Sequence, residues 1–374
     1  MEIAKKIKAD FSRTAFAITI FMSVLLLVTG FSVSVVAVEK DDVLVTGCID
    51  AHNHLFGMTG KRSVFGGSHD YAASARNALD RMDALGIRTA IVMPPPFTEG
   101  QRDIFDAGEF RGAIAKYPGR FAFLGGGGTL NVMIHRSIRS GKIDGEVEKR
   151  FTEQAEKLTA MGIIGFGEMA AEHFSLHAHH PYETAPPDHP LFLLLADIAA
   201  RHQLPIDLHM EAIPQDMSSQ GIVRLQEGRT PEHLKANIAA FERLLSHNRQ
   251  ARIIWAHAGW DNTGFRTVTM MDELLARHPN LYMSIKIGRD SRDETRPLAP
   301  GRKLKPEWLA LMTKYPDRFM IGSDIFFAPP TSELRSPPGR GEWVKEFLSQ
   351  LPPELARKVG LENPTKIFNL KKGQ

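Results

Sequence analysis

The stretch Cys48-Ile49-Asp50-Ala51-His52-Asn53-His54-Leu55 is an apolar run that ends in two histidines one residue apart. In an extended segment the side chains at positions i and i+2 point to the same face, so His52 and His54 can hold one cation between two imidazoles. Histidines at this spacing also occur as ordinary hydrogen-bonded residues. The pair therefore predicts half of a metal site, provided that later strands end in further ligands.

Strand-length apolar runs continue along the chain and alternate with helical patterns. The predicted strands cover residues 43–50, 87–93, 120–124, 162–168, 204–209, 252–257, 281–287 and 319–324. Eight strands, each separated from the next by a helix, predict an α/β fold, a (β/α)8 TIM barrel of parallel strands. An open doubly wound sheet is the alternative, but no Gly-x-Gly-x-x-Gly turn follows the first strand.

Three of the helical patterns have clear boundaries. Residues 71–85 carry apolar side chains at helical spacing and stop at Gly86. Residues 190–202 carry a dense face of Leu and Ala. Thr230-Pro231 predicts a helix start, because a proline in the first turn loses no helical hydrogen bond, and this helix would run to about His247.

The N-terminal segment, residues 1–37, has a basic start and then an apolar run that leads to Glu39-Lys40-Asp41-Asp42. This pattern predicts a signal peptide cut after Ala37. Because roughly 20 apolar residues suffice to span a bilayer, an uncleaved membrane anchor is the alternative. In either case we expect the folded part to be exported, as a periplasmic or extracellular protein or as a membrane-anchored one.

Composition narrows the classes of partner. The chain has 374 residues, 43% of them hydrophobic, and a formal charge of +3. Residues 1–37 contain four basic and two acidic residues, so the rest carries about +1, and no nucleic-acid partner is indicated. The single cysteine, Cys48, excludes an intramolecular disulfide and a cysteine metal cluster. We expect a small-molecule substrate and membrane contact only through an uncleaved leader, and a homo-oligomer stays open.

Ligand-type residues end five of the eight predicted strands. They are His52 and His54 on the first strand, Glu168 on the fourth, His209 on the fifth, His257 on the sixth and Asp324 on the eighth. In a parallel barrel the carboxyl ends of all strands open onto one face, so these six side chains should converge. Imidazoles with a carboxylate suit Zn²⁺, our first expectation, or Mn²⁺ or Fe²⁺.

Such an ion would lower the pKa of a bound water from about 15.7 toward roughly 7. The Asp324 carboxylate could then orient the water and accept its proton. A second imidazole nearby could polarise a substrate or relay a proton. The pattern therefore predicts catalysis by a metal-activated water.

Six segments of the sequence together resemble the amidohydrolase superfamily, and most of all its amidohydrolase-related branch, which also contains aminocarboxymuconate-semialdehyde decarboxylase. These segments are Ile49-Asp50-Ala51-His52-Asn53-His54, Gly165-Phe166-Gly167-Glu168, Pro205-Ile206-Asp207-Leu208-His209, Ala256-His257-Ala258-Gly259, Arg318-Phe319-Met320-Ile321-Gly322-Ser323-Asp324 and Glu362-Asn363-Pro364-Thr365-Lys366-Ile367-Phe368. The resemblance covers residues 43–371. It implies a metal-dependent TIM barrel with four ligands and with His257 as a further ligand or proton relay; the four are His52, His54, His209 and Asp324.

Glu168 decides between two forms of this site. In some superfamily members a carboxylate or carboxylated lysine on the fourth strand bridges two metals, whereas the decarboxylase-like members use one. Glu168 stands where the bridge would be, and no lysine occupies that strand. The alternative is that Glu168 pairs with a cation such as Arg289 or hydrogen-bonds a loop. One ion and two ions both stay open.

Three functions are compatible with this reading. The first is a metal-dependent hydrolase of an ester, lactone, amide or related small molecule, with Asp324 as base and His257 helping to stabilise the developing oxyanion. The second is a metal-dependent, non-oxidative decarboxylase of an unsaturated or aromatic carboxylic acid. The third is a non-catalytic, exported barrel that binds a ligand, in which the strand-end residues would be idle.

Other signals are weaker. Lys286 and Arg289 could bind a substrate carboxylate or phosphate, or could serve in packing and surface charge pairing. Trp255 and Trp260 are expected to pack the barrel rather than contact substrate, and Ser323 has no visible base partner. A histidine group after the fourth strand is expected to be a solvated loop: His173, His177, His179 and His180.

Overall fold

The computed structural model describes residues 47–60, 68–176, 181–222, 229–288 and 291–371. The predicted leader at residues 1–37 lies outside the described residues. Within the described ranges, no helix combines the length and the apolar character needed to cross a membrane.

The centre of the structure is a ring of parallel strands that follow one another in chain order. These strands are β1 (Cys48–Leu55), β2 (Ile87–Met93), β3 (Phe121–Phe123 and Gly125–Gly126), β4 (Phe166–His173), β5 (Pro205–Met210), β6 (Arg252–Ala258), β7 (Leu281–Ile285) and β8 (Phe319–Ile321). β1 pairs with β2 on one side and with β8 on the other, where Asp50 is in register with Ile321. Each of the eight predicted strands has a counterpart in the ring, but two are shifted along the chain: β1 runs to Leu55 instead of residue 50, and β4 covers Phe166–His173 instead of residues 162–168.

The third strand closes the ring because its two halves pair with different neighbours. Phe121 is in register with Ala90 on β2, whereas Gly125 is in register with Phe166 on β4. Between the halves, the Leu124 N–H donates to the carbonyl oxygen of Val92 at 3.0 Å. A closed ring of parallel strands confirms the (β/α)8 barrel and excludes the doubly wound sheet.

Helices follow the strands. They are α1 (Tyr71–Leu85), α2 (Ala107–Ile114), α3 (Leu130–Ser140), α4 (Gly145–Ala160), α5 (Pro190–His202), α6 (Ile238–His247), α7 (Val268–Arg277), α8 (Pro306–Lys314), α9 (Trp343–Ser349), α10 (Pro353–Arg357) and α11 (Asn363–Ile367), with a π-helical turn at Lys358–Glu362 between the last two. The predicted bounds of α1 and α5 are confirmed. α1 is fixed by local chemistry, since the Asp70 carboxylate accepts from the Ala73 N–H at 2.8 Å and Gly86 ends the helix in the left-handed region.

The predicted helix start at Thr230-Pro231 is wrong. α6 begins at Ile238, and before it His233–Leu234 pairs antiparallel with Met217–Ser218. The Thr230 hydroxyl oxygen accepts from the Ser175 N–H at 2.9 Å, which ties this segment to another loop instead of a helical turn. Helix α3 is an addition that the sequence patterns did not indicate.

An apolar cluster fills the barrel interior on the side where the chain ends. It combines strand residues with C-terminal residues: Ile49, Ala51, Ile91, Met93, Leu124, Ile254, Met320, Ile367, Phe368 and Leu370. Asn363 anchors the C-terminal part, because its amide donates to the carbonyl oxygens of Pro316 and Phe319 at 2.8 Å each. Large apolar side chains thus close one part of the barrel, and polar side chains collect at the carboxyl ends of the strands.

Candidate metal centre

Four strands and the segment after β8 bring all six predicted ligands together, in what we call the mouth cluster, although Glu168 is the third residue of β4 and not its last residue. It consists of His52 and His54 on β1, Glu168 on β4, His209 on β5, His257 on β6, and Asp324, which lies between β8 and the short segment Ile325–Phe327. No member is more than 6% exposed. The convergence expected from strand order is therefore present in the fold.

Glu168 lies at the centre of the mouth cluster. Its Oε1 is 2.9 Å from His209 Nδ1 and 3.2 Å from His257 Nε2. Its Oε2 is 3.3 Å from His54 Nε2 and 3.8 Å from His52 Nε2. Each carboxylate oxygen thus faces one pair of imidazoles. The alternative partner, Arg289, lies outside the described residues.

Asp324 has a different contact on each oxygen. Its Oδ1 faces the first histidine pair, 3.3 Å from His54 Nε2 and 3.9 Å from His52 Nε2. Its Oδ2 lies 2.6 Å from Lys286 Nζ and 3.3 Å from an Arg340 guanidinium nitrogen. One oxygen is therefore directed at the imidazoles while the other is held by two cations.

The backbone at two members of the mouth cluster is unusual. His257 has φ 69° and Asp324 has φ 56°, both in the left-handed region. A non-glycine residue there costs on the order of 1–3 kcal/mol and persists only where its surroundings impose it. Hydrogen bonds hold both places, from the Trp260 N–H to the His257 carbonyl oxygen and from the Asp324 N–H to the His52 carbonyl oxygen, each 2.9 Å.

The donor set fits a divalent cation. Two triplets of ligand atoms lie within 4.8 Å of one another: His52, His54 and Asp324, and His52, Glu168 and His257. Ligand atoms about 2 Å from one ion lie roughly 3 to 4 Å from each other, which is the spacing seen here. Among the described residues, the buried Nε2 of His52 has no hydrogen-bond partner. Imidazole nitrogens and carboxylate oxygens suit Zn²⁺, Mn²⁺ or Fe²⁺.

Electrostatics inside the mouth cluster favour ionised carboxylates. Burial opposes charge on Glu168, but the imidazoles around it, led by His52, hold its pKa well below the usual value. Burial likewise opposes charge on His54 and His209, yet the carboxylates they contact raise the pKa of each to about 9. Without a bound cation, the negative charge of the cluster is thus balanced by protons on imidazoles.

The Lys286 ammonium lowers the pKa of two members of the mouth cluster, His257 and Asp324. Burial and the nearby Lys286 ammonium together push the pKa of His257 well below the usual value, so this imidazole is neutral near pH 7. For Asp324, burial opposes ionisation, but Lys286 lowers its pKa well below the usual value. An ionised carboxylate and a neutral imidazole therefore stand at the same site, as the two predicted catalytic roles require.

Several polar residues beside the mouth cluster were not singled out from sequence. Asp207 Oδ1 lies 3.1 Å from His52 Nδ1, and Glu211 Oε1 lies 3.7 Å from His209 Nε2. Both sit two residues from His209, Asp207 on β5 and Glu211 just after its last residue, so strand alternation could have indicated them. Arg340 reaches Asp324 from a distant loop, and no sequence pattern signals that contact.

The histidine group after the fourth strand and Trp255, which gave weaker signals in the sequence, lie in different surroundings. The His173 ring lies 4.4 Å from the His209 ring, whereas His177, His179 and His180 lie outside the described residues. Trp255 is buried and donates from its indole to the Met210 carbonyl oxygen at 2.7 Å, which is a packing role.

Trp260 and Ser323, also noted in the sequence, both lie close to the mouth cluster residues in the chain. Trp260 lies beneath Lys286, with the ammonium 3.7 Å from its ring centre, and so borders the mouth cluster. The Ser323 N–H donates to the Asp50 carboxylate at 2.9 Å, and its hydroxyl contacts the same carboxylate. This serine therefore has a structural partner.

A closed barrel of eight parallel strands with a buried cluster of histidines and carboxylates at its mouth defines a class, that of TIM-barrel proteins with a strand-end metal centre. The family described as Amidohydrolase matches residues 49–370, and the chain belongs to this family. The resemblance read from the six sequence segments is confirmed. No curated protein matches the chain.

Solved structures resemble the chain at low identity. A probable 2-pyrone-4,6-dicarboxylic acid hydrolase from Acinetobacter baumannii has 13% identity and a TM-score of 0.46, covering 87% of this chain and 100% of its own. Dihydroorotase from Campylobacter jejuni has 15% identity and a TM-score of 0.46, and the match covers 87% of this chain and 84% of its own. A 5-carboxyvanillate decarboxylase from Sphingomonas paucimobilis has 12% identity and a TM-score of 0.43, and the match covers 87% of this chain and 100% of its own. Values this low carry no argument about the reaction.

Proposed function

We propose that this protein is a metal-dependent hydrolase that acts on an ester, lactone, amide or related small molecule. The observation that carries the proposal is the mouth cluster itself, in which four imidazoles surround one carboxylate and a second carboxylate is paired with Lys286. Water activation needs this combination of neutral and ionised groups. A purely structural cluster would not need two residues in the left-handed region.

The chain's own residues have distinct roles in this proposal. A bound divalent metal supplies Lewis acidity and lowers the pKa of a coordinated water. Asp324 accepts the proton of the attacking water, and Lys286 and Arg340 hold the carboxylate in place through Oδ2. His257, neutral near pH 7, gives or takes a proton at the substrate oxygen. Zn²⁺ is the first candidate ion, with Mn²⁺ and Fe²⁺ as alternatives.

We further propose that the mouth cluster holds two ions bridged by Glu168. Each of its oxygens faces a separate imidazole pair, His52 with His54 and His209 with His257. Metal analysis of protein purified without chelator should give two equivalents for the wild type and about one for Glu168→Gln. One equivalent with full activity would rule out the bridge.

The proposed reaction is tested by a substrate screen with chelation and metal add-back. Esters, lactones and amides should be turned over by the purified protein, chelation should abolish the activity, and Zn²⁺, Mn²⁺ or Fe²⁺ should restore it. Protein that carries no metal and has no metal-dependent activity would contradict the proposal and favour a non-catalytic, ligand-binding barrel.

A second candidate function is decarboxylation of an unsaturated or aromatic carboxylic acid. The observation that favours it is the pair of cations at Asp324, since Lys286 and Arg340 place two positive charges where a substrate carboxylate could bind. Reaction in ¹⁸O-labelled water separates the two functions. Hydrolysis incorporates the label into the organic product, whereas decarboxylation releases carbon dioxide and leaves the organic product unlabelled.

We also propose that the folded domain works outside the cytoplasm. The support is the basic and then apolar segment at residues 1–37. Mass spectrometry of the N-terminus after cell fractionation tests this. A chain in the periplasm or medium that begins at Val38 indicates a cleaved signal, and an intact chain in the membrane fraction indicates an anchor. A full-length chain in the cytoplasm would contradict export.

A further inference from the structure

Asp207 is a fully buried carboxylate inside the barrel, with 0% exposure. Its Oδ1 lies 3.1 Å from Nδ1 of His52. Within the described residues, neither of its oxygens accepts a well-directed hydrogen bond. Burying a carboxylate without such bonds is costly, so fold stability alone does not account for an acid at this position.

The His52 imidazole lies between Asp207 and the mouth cluster. Its Nδ1 faces Asp207, while its Nε2 is 3.8 Å from Glu168 Oε2 and 3.9 Å from Asp324 Oδ1. The outer nitrogen of His52, Nδ1, therefore lies beside the Asp207 carboxylate, and Nε2 lies on the side of the other ligand atoms. Carboxylates behind metal-binding histidines fix the tautomer and the ring orientation in this way.

In the described part of the chain, the other three imidazoles have no carboxylate this close to the outer nitrogen. His54 Nδ1 lies 3.1 Å from the Met93 carbonyl oxygen, and His209 Nε2 lies 3.7 Å from Glu211 Oε1. His257 Nδ1 has no hydrogen-bond partner among the described residues. Of the four, His52 thus has the closest carboxylate at its outer nitrogen, and its Nε2 belongs to both candidate triplets of metal ligands.

We propose that Asp207 is a positioning residue for metal binding, which holds His52 so that Nε2 faces the ion. The inference rests on the proposed function, because it requires a metal in the mouth cluster. It predicts that Asp207 contributes to metal affinity while adding nothing to the stability of the metal-free fold.

The test compares Asp207→Asn with Asp106→Asn, a matched change at another buried carboxylate. Asp106 is 7% exposed, and its oxygens accept from the Ala107 N–H at 2.7 Å, the Gly126 N–H at 2.9 Å and the Thr129 hydroxyl at 2.7 Å. Three properties are measured on the full chain: Zn²⁺ affinity by chelator competition, the visible spectrum of the Co²⁺ form, and the Tm of the metal-free protein.

We expect Asp207→Asn to weaken Zn²⁺ binding about 10- to 100-fold, to change the Co²⁺ spectrum and to leave the metal-free Tm unchanged or higher. Asp106→Asn should lower the Tm and leave both metal readouts unchanged. Wild-type affinity and spectrum in Asp207→Asn would overturn the inference alone, as would a Tm loss like that of Asp106→Asn. A wild-type protein that binds neither ion would overturn the proposed function and this inference with it.

Discussion

Asp324 combines a position in the metal centre with a contact to two cations, which makes it the sharpest single-residue test. Asp324→Asn keeps the size of the side chain, and Asn tolerates the left-handed region in which Asp324 lies at φ 56°. The variant should therefore fold. Because an amide cannot accept the water proton, we expect kcat to fall by roughly 10²- to 10⁴-fold. Retained kcat with an unchanged circular dichroism spectrum would remove Asp324 from the role of base.

Lys286 allows a comparison of a buried ion pair with an exposed one. Lys286 Nζ and Asp324 Oδ2 are 2.6 Å apart and both side chains are buried, whereas Lys314 makes a contact of the same length with Asp272 at the surface. Removing one partner of a buried pair leaves an uncompensated charge, which costs up to about 3–5 kcal/mol. Arg340 remains beside Asp324 and should reduce that cost.

We therefore expect Lys286→Met to lower the Tm of the metal-free protein and to reduce turnover. Lys314→Met should change neither property, because exposed pairs contribute little. Thermal unfolding of both variants in chelator, with activity after metal add-back, is the measurement. Equal Tm values for the two variants would show that the buried ion pair contributes no more to stability than the exposed one.

Glu183 gives the protein a predictable dependence on pH. It is 1% exposed, its Oε2 accepts from the Asn131 amide at 3.0 Å, and burial raises its pKa from 4.5 to about 8. The folded state therefore keeps a proton between pH 4.5 and 8 that the unfolded chain releases. The stabilisation from this proton is present in full below pH 4.5 and is lost as the pH rises through 8.

Glu183→Gln removes this titration, so its Tm relative to wild type should rise from pH 5 to pH 9. Glu153→Gln, at an exposed position on α4, serves as the control for the same chemical change. Both are compared with wild type in chelator by thermal unfolding. A Tm difference for Glu183→Gln that does not vary with pH would contradict a raised pKa at this position.

At the scale of elements, the barrel could be predicted because its strands are read from local patterns. Apolar runs of the right length, each followed by a helical pattern, gave all eight strands their places. α3 was not predicted because it follows the glycine run after β3, and the side chain of its N-cap residue, Thr129, makes no capping hydrogen bond to the helix. α6 begins later than Thr230-Pro231 predicts, because tertiary pairing of His233–Leu234 overrides the local preference.

The turn from β3 into α3 depends on close packing of a glycine. A Cβ at Gly128 would lie 1.9 Å from the Phe105 carbonyl oxygen, which is backbone and cannot move aside easily. Gly128→Ala should therefore destabilise the protein by about 1–3 kcal/mol. At Gly112, within α2, a Cβ would meet nothing within 4 Å.

Gly112→Ala is thus the matched change, and it should stabilise the protein by up to about 1 kcal/mol because Gly is a poor helix former. Urea unfolding of both variants gives the two free energies. An unchanged free energy of unfolding for Gly128→Ala would mean that the segment around Phe105 shifts without cost. The close packing at Gly128 would then not contribute to stability.

At the scale of the whole molecule, the mouth cluster depends on chain topology more than on local sequence. The convergence of the six candidate ligands was predictable because each lies at or near the end of an apolar run in the sequence, and parallel strands end on one face. The cations and acids around them were harder to predict. Lys286 was singled out with two alternative roles, and Arg340 was not singled out because only its contact in the folded chain joins it to Asp324. Asp207 was not singled out either, although strand alternation with His209 could have indicated it.

The same topology couples metal binding to the stability of the whole barrel. The candidate ligands come from β1, β4, β5, β6 and the segment after β8, so a bound ion would join separate strands of the ring. An ion that binds only the folded state stabilises it by about 2.7 kcal/mol at a free concentration of 100 Kd. For a chain of 374 residues, that corresponds to a Tm increase of roughly 3–4 °C.

Chelation should therefore lower the Tm by about that amount, and add-back of Zn²⁺, Mn²⁺ or Fe²⁺ should restore it in the order of their affinities. His54→Ala should lose most of the metal-dependent increase, because His54 belongs to a ligand triplet. His233→Ala, at an exposed histidine far along the chain from the mouth cluster residues of β1, should keep it. Differential scanning calorimetry with and without chelator measures all three proteins. Identical Tm values for wild type in both conditions would mean that the ligands, although assembled by the fold, hold no ion that depends on the folded barrel.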